Sequence, residues 1–511
     1  VHNFYPQLSF IRGMSSVKKI FGALVLLLVG GVWLSSTGCR KDNNANASLS
    51  FSTDTLTFDT VFATLGSTTK YFKVFNTSSK PVTIEDLRLM RLVGNQFRMN
   101  VDGINGDQFS NIEIPAKDSI YVFVEVTVNP NSAATPYVII DDVSFLMNGK
   151  QSTVHLQAFG QNAHFHYGEE ITSGNTETWN NDLPHVIISK DTVPGVYVRC
   201  GATLNINPGC KIFFAGNSAL FVEGTLNANA TTWSDSIVFQ GARLEEFYDD
   251  KPGQWFGIVF LRNGCAPQGS FNHCVVNESS YGIYAGAGLS SNLNEYLGAA
   301  TRPDVSIKNS IVKNTQFNAV QGFNAKIEAE NSLFYVSGDN LVKLWLGGDY
   351  KFTHCTLYNT GSRFVSHEKE ILVLNNAVID GNNVVYPEPI KSVFNSCVIY
   401  GSLQNEIEFG NVDGTNLGNF VNEFNYSLLK AKADTVALFS SVNNANLFNQ
   451  DPRFKEPNKE NFTPSDSAGY FSPIIDFAPS FSLSTDIFDK PRPVAKTANA
   501  NLFDAGAVEV Q

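Results

Sequence analysis

The sequence predicts an all-β chain in two parts, a β-sandwich followed by a parallel β-helix solenoid. Three observations lead there. Asn, Ser, Thr, Gly and Phe are abundant and Met is scarce, which suits strands joined by many turns. Residues 49–162 alternate apolar and polar positions in short runs. From Phe271 onward one short motif returns at spacings that include four consecutive gaps of 20–23 residues, the mark of a solenoid.

The elements follow in chain order. Met14 opens a stretch with Lys18 and Lys19, then 15 apolar residues from Ile20 to Leu34, then Ser35-Ser36-Thr37-Gly38. A basic start, a short apolar run and a small-residue junction form a secretory signal, here residues 1–38 with Met14 as the expected start. A membrane span needs about 20 apolar residues, so a permanent span is the weaker reading. Ser36-Thr37-Gly38-Cys39 resembles the bacterial lipobox. That resemblance implies cleavage before Cys39, acylation of the cysteine and attachment to a membrane. Residues 39–48 are then a polar tether. By the lipoprotein sorting rule, Arg40 in place of Asp implies the outer membrane, and Lys41-Asp42 is compatible with surface display. Loss of the signal removes Arg12, Lys18 and Lys19 and no acids, taking the formal charge from −12 to −15. So acidic a body argues against nucleic acid as a partner, because neutralising phosphates needs clustered cations.

Residues 49–162 contain LSFSTDTLTFDTVF and SIYVFVEVTV, with turn residues spaced as in a sandwich of about 110 residues. The Cys…Trp…Cys signature of antibody domains is absent. The segment resembles the immunoglobulin-like modules that precede repeat domains in Bacteroidota lipoproteins, which implies a spacer or packing role.

The repeat segments are FNHCVV, IKNSIV, AENSLF, FTHCTL, LNNAVI, FNSCVI and FNYSLL. Their small residues are Cys274, Ser310, Ser332, Cys355, Ala377, Cys397 and Ser427, at gaps of 36, 22, 23, 22, 20 and 30. Segments this short, with Asn at the turn, fit one coil of a parallel β-helix within residues 163–450. The small residue and the residue two later then point inward. Between them runs an outward column, Val275, Ile311, Leu333, Thr356, Val378, Val398 and Leu428, too apolar to stay bare. Earlier segments (ATLNI, KIFF, ALFVEGTL, SIVFQ, GIVFL) fit the scheme, giving about eleven coils between residues 186 and 430. The two long gaps are loops. Of the six cysteines after Cys39, Cys274, Cys355 and Cys397 read as small core residues, and Cys200–Cys210 is the local pair to test. Their spacings suggest no zinc site.

The repeat resembles right-handed parallel β-helices of the pectin-lyase-like superfamily, in which GQWFGIVF (Gly253–Phe260) looks like a recurrent coil. Four later blocks extend the likeness: DPRF at Asp451–Phe454, SPIID at Ser472–Asp476, DKPRP at Asp489–Pro493 and FDAGAVE at Phe503–Glu509. In that order they resemble the tail of many bacterial surface β-helices, which implies that residues 451–511 cover the exposed last coil. Asp489 stands where glycine is commoner, and it tolerates a left-handed turn less well.

Chemistry is sought on the outer face, three residues after each small residue: Asn277, Lys313, Tyr335, Tyr358, Asp380, Tyr400 and Lys430. Tyr335, Tyr358 and Tyr400 could hold sugar rings while Lys313 and Asp380 take hydroxyls. A tyrosine ladder packed on the sheet is the competing reading. Glu245, Glu246, Asp249 and Asp250 could bind calcium or form an acidic solvated loop. His273 and His354 precede Cys274 and Cys355 at equivalent turn positions, which favours a structural role. There is no Gly-rich phosphate loop, Ser nucleophile motif or His-rich metal motif. No cofactor is expected beyond the calcium ion those acids could take. The leading function is a cell-envelope lipoprotein whose β-helix contacts glycan or serves adhesion without catalysis. The alternative is a carbohydrate-active enzyme, a polysaccharide lyase or glycoside hydrolase, although no repeated Asp pair marks its carboxylates.

Overall fold

The computed structural model describes residues 47–133, 135–287, 293–411, 419–432, 435, 445–479, 481, 483–497 and 502–511. The signal, Cys39 and most of the tether lie outside the described residues. Among the described residues, no helix is long and apolar enough to cross a membrane. The chain divides into two compact units, one made of the chain up to Phe58 with 66–127 and 138–158, the other of 59–65, 128–137 and 159–511.

The first unit is a sandwich of two five-stranded sheets. One orders Leu49–Phe51, Lys70–Asn76, Ser119–Val126, Phe97–Val101 and Ile104–Asn105; the other orders Thr55–Phe62, Lys150–Gln161, Tyr137–Met147, Val82–Leu89 and Gln108–Ile114. Alternation decides what is buried. Along Ser119–Val126, Ile120, Val122, Val124 and Val126 are inside, and the residues between them are half-buried. The inner faces meet through aromatic rings, Phe51 at 5.0 Å from Phe145 and Phe58 at 6.0 Å from Phe97.

The second unit is the parallel β-helix. Its first face has eleven strands among the described residues, from His164–Tyr167 to Leu447–Phe448. A second face starts at Glu169–Ile171 and a third at Thr176–Trp179. Val276, Val312, Phe334, Leu357, Ile399 and Leu429 pair in that order through successive coils, all buried in one core. Full burial of each such side chain contributes about 1.5–3 kcal/mol.

The recurring motif spans the corner between the third and first faces. The residue before the small one takes a left-handed conformation at His273, Asn309, Asn331, His354, Ser396 and Tyr426, with φ between 44° and 52°. The small residue also has a polar use. The amides of Cys274, Ser310 and Cys397 donate to Ser310, Ser332 and Ser427 Oγ of the next coil at 3.1, 3.2 and 3.0 Å.

Four expectations are corrected. Ala377 does not lie in the ladder: Thr356–Asn359 pairs directly with Val398–Gly401, and Ala377–Ile379 folds back on Val385–Pro387 as a hairpin. Turn chemistry explains this, since the Asp380 carboxylate accepts the amides of Asn382 and Val384 at 2.9 and 2.8 Å, and Asn383 takes φ 62°. The eleven strands reach beyond the 186–430 window at both ends. Cys200 is bonded to Cys265 rather than Cys210, whose thiol is buried in the core. Cys274, Cys355 and Cys397 are free buried thiols.

The fourth correction concerns the tail, which lies along the outer face of the first sheet rather than over the last coil alone. Leu333, Val398 and Leu428 of the outward column pack with Phe454, Phe462, Ile474, Ile487 and Val508. Three of the four sequence blocks supply a buried polar set that holds the tail in shape. Arg492 donates to the carbonyls of Asp504 and Gly506 at 3.1 and 3.0 Å and lies 3.6 Å from Glu509. Asp504 accepts the amides of Asp476 and Val510, and Glu509 those of Val494 and Asp504. Both turn histidines meet the tail: His273 Nε2 is 2.9 Å from Asp489, and Arg492 is 2.8 Å from His354 Nδ1. Asp489 does take a left-handed turn, at φ 62°, and its carboxylate is what reaches His273.

Candidate functional site

A second outward line, two positions further along each strand of the first face, leads to the site. Asn277, Lys313, Tyr335, Tyr358 and Tyr400 stand on successive coils in direct register. Asp380 is absent from this line because it turns the hairpin, so Tyr358 is followed by Tyr400. The tail then takes up part of the ladder. Phe462 lies 4.9 Å from the Tyr335 ring and 5.4 Å from Tyr358, and Phe454 is 5.7 Å from Tyr358. Tyr335 is buried and its ring belongs to that cluster, while Tyr358 and Tyr400 remain half-buried and stack on each other at 6.5 Å. Tyr335 is therefore packed against the tail, where it also lines the groove beside it.

A groove of about 340 Å³ opens beside the covered ladder, lined by Asp250, Asn314, Tyr358, Arg363, Glu460 and Phe462 among others. Lys313 joins its two acids, with Nζ at 2.6 Å from Glu460 and 3.3 Å from Asp250. Asn314 Nδ2 donates to the same Asp250 carboxylate at 2.7 Å. Exposed Arg363 donates to the Asp249 carbonyl at 3.0 Å and lies over the Phe364 ring. Thus Lys313, Tyr335 and Tyr358 of the predicted glycan set converge with Asp250 of the predicted calcium set. The other acids do not join them. Glu245 pairs with Arg243 at 3.2 Å, Glu246 begins a short 3-10 turn, and Asp249 is held upward in pKa by burial and then by Asp250 and Glu246.

Beneath the groove, Glu278 accepts the amides of Asp250 and Gly241 at 3.0 and 3.1 Å. Burial pushes its carboxyl from 4.5 up to about 7. A carboxyl raised in the folded state stabilises fully below its unfolded pKa, and that contribution fades as pH rises through about 7. The Glu278→Gln variant should therefore lose less stability than the parent between about pH 5 and pH 8 in urea unfolding. An unchanged difference would show that Glu278 does not titrate in that window.

A wider cleft of about 850 Å³ lies on the first unit, but its Arg91 and Arg98 are engaged by Asp107 and Glu125. Among the described residues, the one set of three ligand-type side chains whose atoms lie within 4.8 Å of one another is His166, Glu169 and Glu177, in the first coil. Sequence reasoning missed it. The signal was present as a column: these residues pair with Ile187, Val196 and Leu204, which point into the core.

No family model matches the chain, and no curated protein matches it. Solved structures give partial likenesses. A family 123 glycoside hydrolase from Clostridium perfringens is 8% identical over 24% of this chain and 30% of its own, with a TM-score of 0.17. The chain thus spans less than a third of that hydrolase. A PapD-like domain of human CEP192 is 14% identical over 24% of this chain and 90% of its own, TM-score 0.16. A protein of unknown function from Porphyromonas gingivalis W83 is 11% identical over 24% of this chain and 60% of its own, TM-score 0.16. At these scores none of them bears on function.

Proposed function

We propose that this chain is a cell-envelope lipoprotein of the Bacteroidota type, anchored through Cys39 to the outer membrane, whose β-helix contacts glycan without catalysis. The observation that carries the glycan reading is the groove at Tyr358, which sets an aromatic ring beside Asp250, Asn314, Arg363 and Glu460. Sugars are held by such a pairing of an apolar face with polar groups for hydroxyls. The non-catalytic reading draws support from Lys313, because its ammonium engages both groove carboxylates and leaves neither poised as a free acid or base. The anchor and location rest on the lipobox resemblance. The alternative, a lyase or hydrolase, rests on those same two carboxylates sharing one groove.

The test is a glycan array with the purified chain, followed by titration of any ligand found. Tyr358→Ala is expected to weaken binding about fivefold, the value of about 1 kcal/mol of aromatic contact. Binding that survives the substitution intact moves the site elsewhere. Ultraviolet-absorbing unsaturated product, or new reducing ends, would establish the enzyme instead.

A further inference from the structure

Three interior columns of the β-helix that are apolar in the second coil change character in the first. On the first face His166 takes the position that Ile187 holds one coil later. On the second face Glu169 stands before Val196, and on the third Glu177 stands before Leu204. Ile187, Val196 and Leu204 are fully buried members of the main core. One imidazole and two carboxylates, one from each face, thus converge on the axis, and one ligand atom from each lies within 4.8 Å of the others.

The imidazole is also held in a defined orientation. Asn180 presents a carbonyl to His185 Nε2 at 2.9 Å, and a carbonyl only accepts, so that nitrogen carries hydrogen. In neutral His185 the Nδ1 lone pair then receives His166 Nε2–H, at 2.9 Å. His166 Nδ1 then faces the acids, 2.7 Å from Glu169 Oε2, as the atom that can take either a proton or a metal ion. A proton on Nδ1 satisfies this contact, and a divalent cation bound there would displace that proton. Trp179 Nε1 donates to Glu177 Oε1 at 2.7 Å, and the Trp179 ring stacks on both His166 and His185, at 4.3 and 4.7 Å. A ligating histidine backed through its other N–H, beside a hydrogen-bonded carboxylate, is how divalent metal sites are built.

We propose that His166 Nδ1, Glu169 and Glu177 bind a first-row divalent cation of the zinc class, with water completing the sphere, and that the ion staples the three strands of the first coil. Bonds of about 2.1 Å in tetrahedral geometry set ligand atoms about 3.4 Å apart, so side-chain rotation must open the 2.7 Å contact of His166 with Glu169 and bring the other separations, all within 4.8 Å, to that value. Two half-exposed glutamates leave the open position facing water.

The chain, stripped with chelator and dialysed, is titrated with Zn²⁺ by calorimetry and with Co²⁺ by visible absorption. One ion per chain is expected to bind at this site, with visible Co²⁺ bands and a raised melting temperature. Glu169→Gln and Glu177→Gln, isosteric changes made singly, should each weaken binding more than tenfold. His185→Phe, which removes the backing hydrogen bond, should weaken it 10–100-fold while leaving all three ligands in place. Far-ultraviolet circular dichroism identifies any variant that has failed to fold, and the remaining variants then decide. Absence of binding to the parent chain overturns the site and makes the polar ring a solvent-facing end cap. Binding indifferent to all three substitutions overturns it too.

Discussion

Replacing Arg492 by leucine is expected to destabilise attachment of the tail by about 3–5 kcal/mol, the cost of removing one partner from a buried charged set. The guanidinium is fully buried and spans the carbonyls of Asp504 and Gly506, the ring of His354 and the Glu509 carboxylate. Leucine would leave those acceptors and one buried negative charge unpaired. Lysine would restore the charge but not the planar fork that reaches both carbonyls, so Arg492→Lys should recover only part of the loss. The consequence is local: the tail covers Leu333, Val398 and Leu428, so its release should expose an apolar stripe on the first sheet. Limited proteolysis should cut within residues 451–511 of the leucine variant while the coils resist, and a hydrophobic dye should bind. A variant as resistant as the parent would mean that apolar packing alone holds the tail.

What the sequence makes legible is whatever repeats along one dimension. Inward columns follow from period-two alternation and coil spacing, so the pattern alone assigns Cys274 and Val276, or Cys397 and Ile399, to the interior, where they are buried. Spacing is blind to how the chain gets from one coil to the next. LNNAVI has the right interval, yet the turn set by Asp380 takes it out of the ladder. Cys200 and Cys265 are 65 residues apart, and only the winding of the intervening chain makes them neighbours. The tail blocks stand out as motifs, but their purpose does not, because Arg492, Asp504 and Glu509 have meaning only when buried together. The site divides in the same way. Lys313, Tyr335 and Tyr358 follow from register, whereas Glu460, Arg363 and Phe462 come from loop and tail, whose position no periodicity encodes. His166, Glu169 and Glu177 lie on three different strands, so no local spacing joins them.

Trp255→Ala is expected to cost about 3–5 kcal/mol, the range for emptying the site of a large buried aromatic. Trp255 is among the largest fully buried side chains, and its ring stacks on Phe214 at 3.8 Å. Its indole N–H donates to the Asn277 carbonyl at 2.8 Å. Alanine would therefore leave a cavity against Phe214 and an unsatisfied buried carbonyl. Phenylalanine should keep much of the packing and lose about 1 kcal/mol or somewhat more through the missing hydrogen bond. Because a solenoid coil is stabilised mainly by its neighbours, the damage should not spread evenly. Hydrogen exchange should quicken in Lys211–Phe214, Gly257–Leu261 and Cys274–Asn277, the strands around the indole, and stay slow in the distant Ile390–Asn395. Loss of protection along the whole helix would instead mean that the coils unfold as one cooperative body. Since Asn277 Oδ1 accepts a hydrogen bond from Asn314, which in turn holds Asp250, the same substitution should also loosen the groove. A glycan affinity that falls with Trp255→Ala yet recovers in Trp255→Phe would place the cause in packing under the groove rather than in contact with sugar.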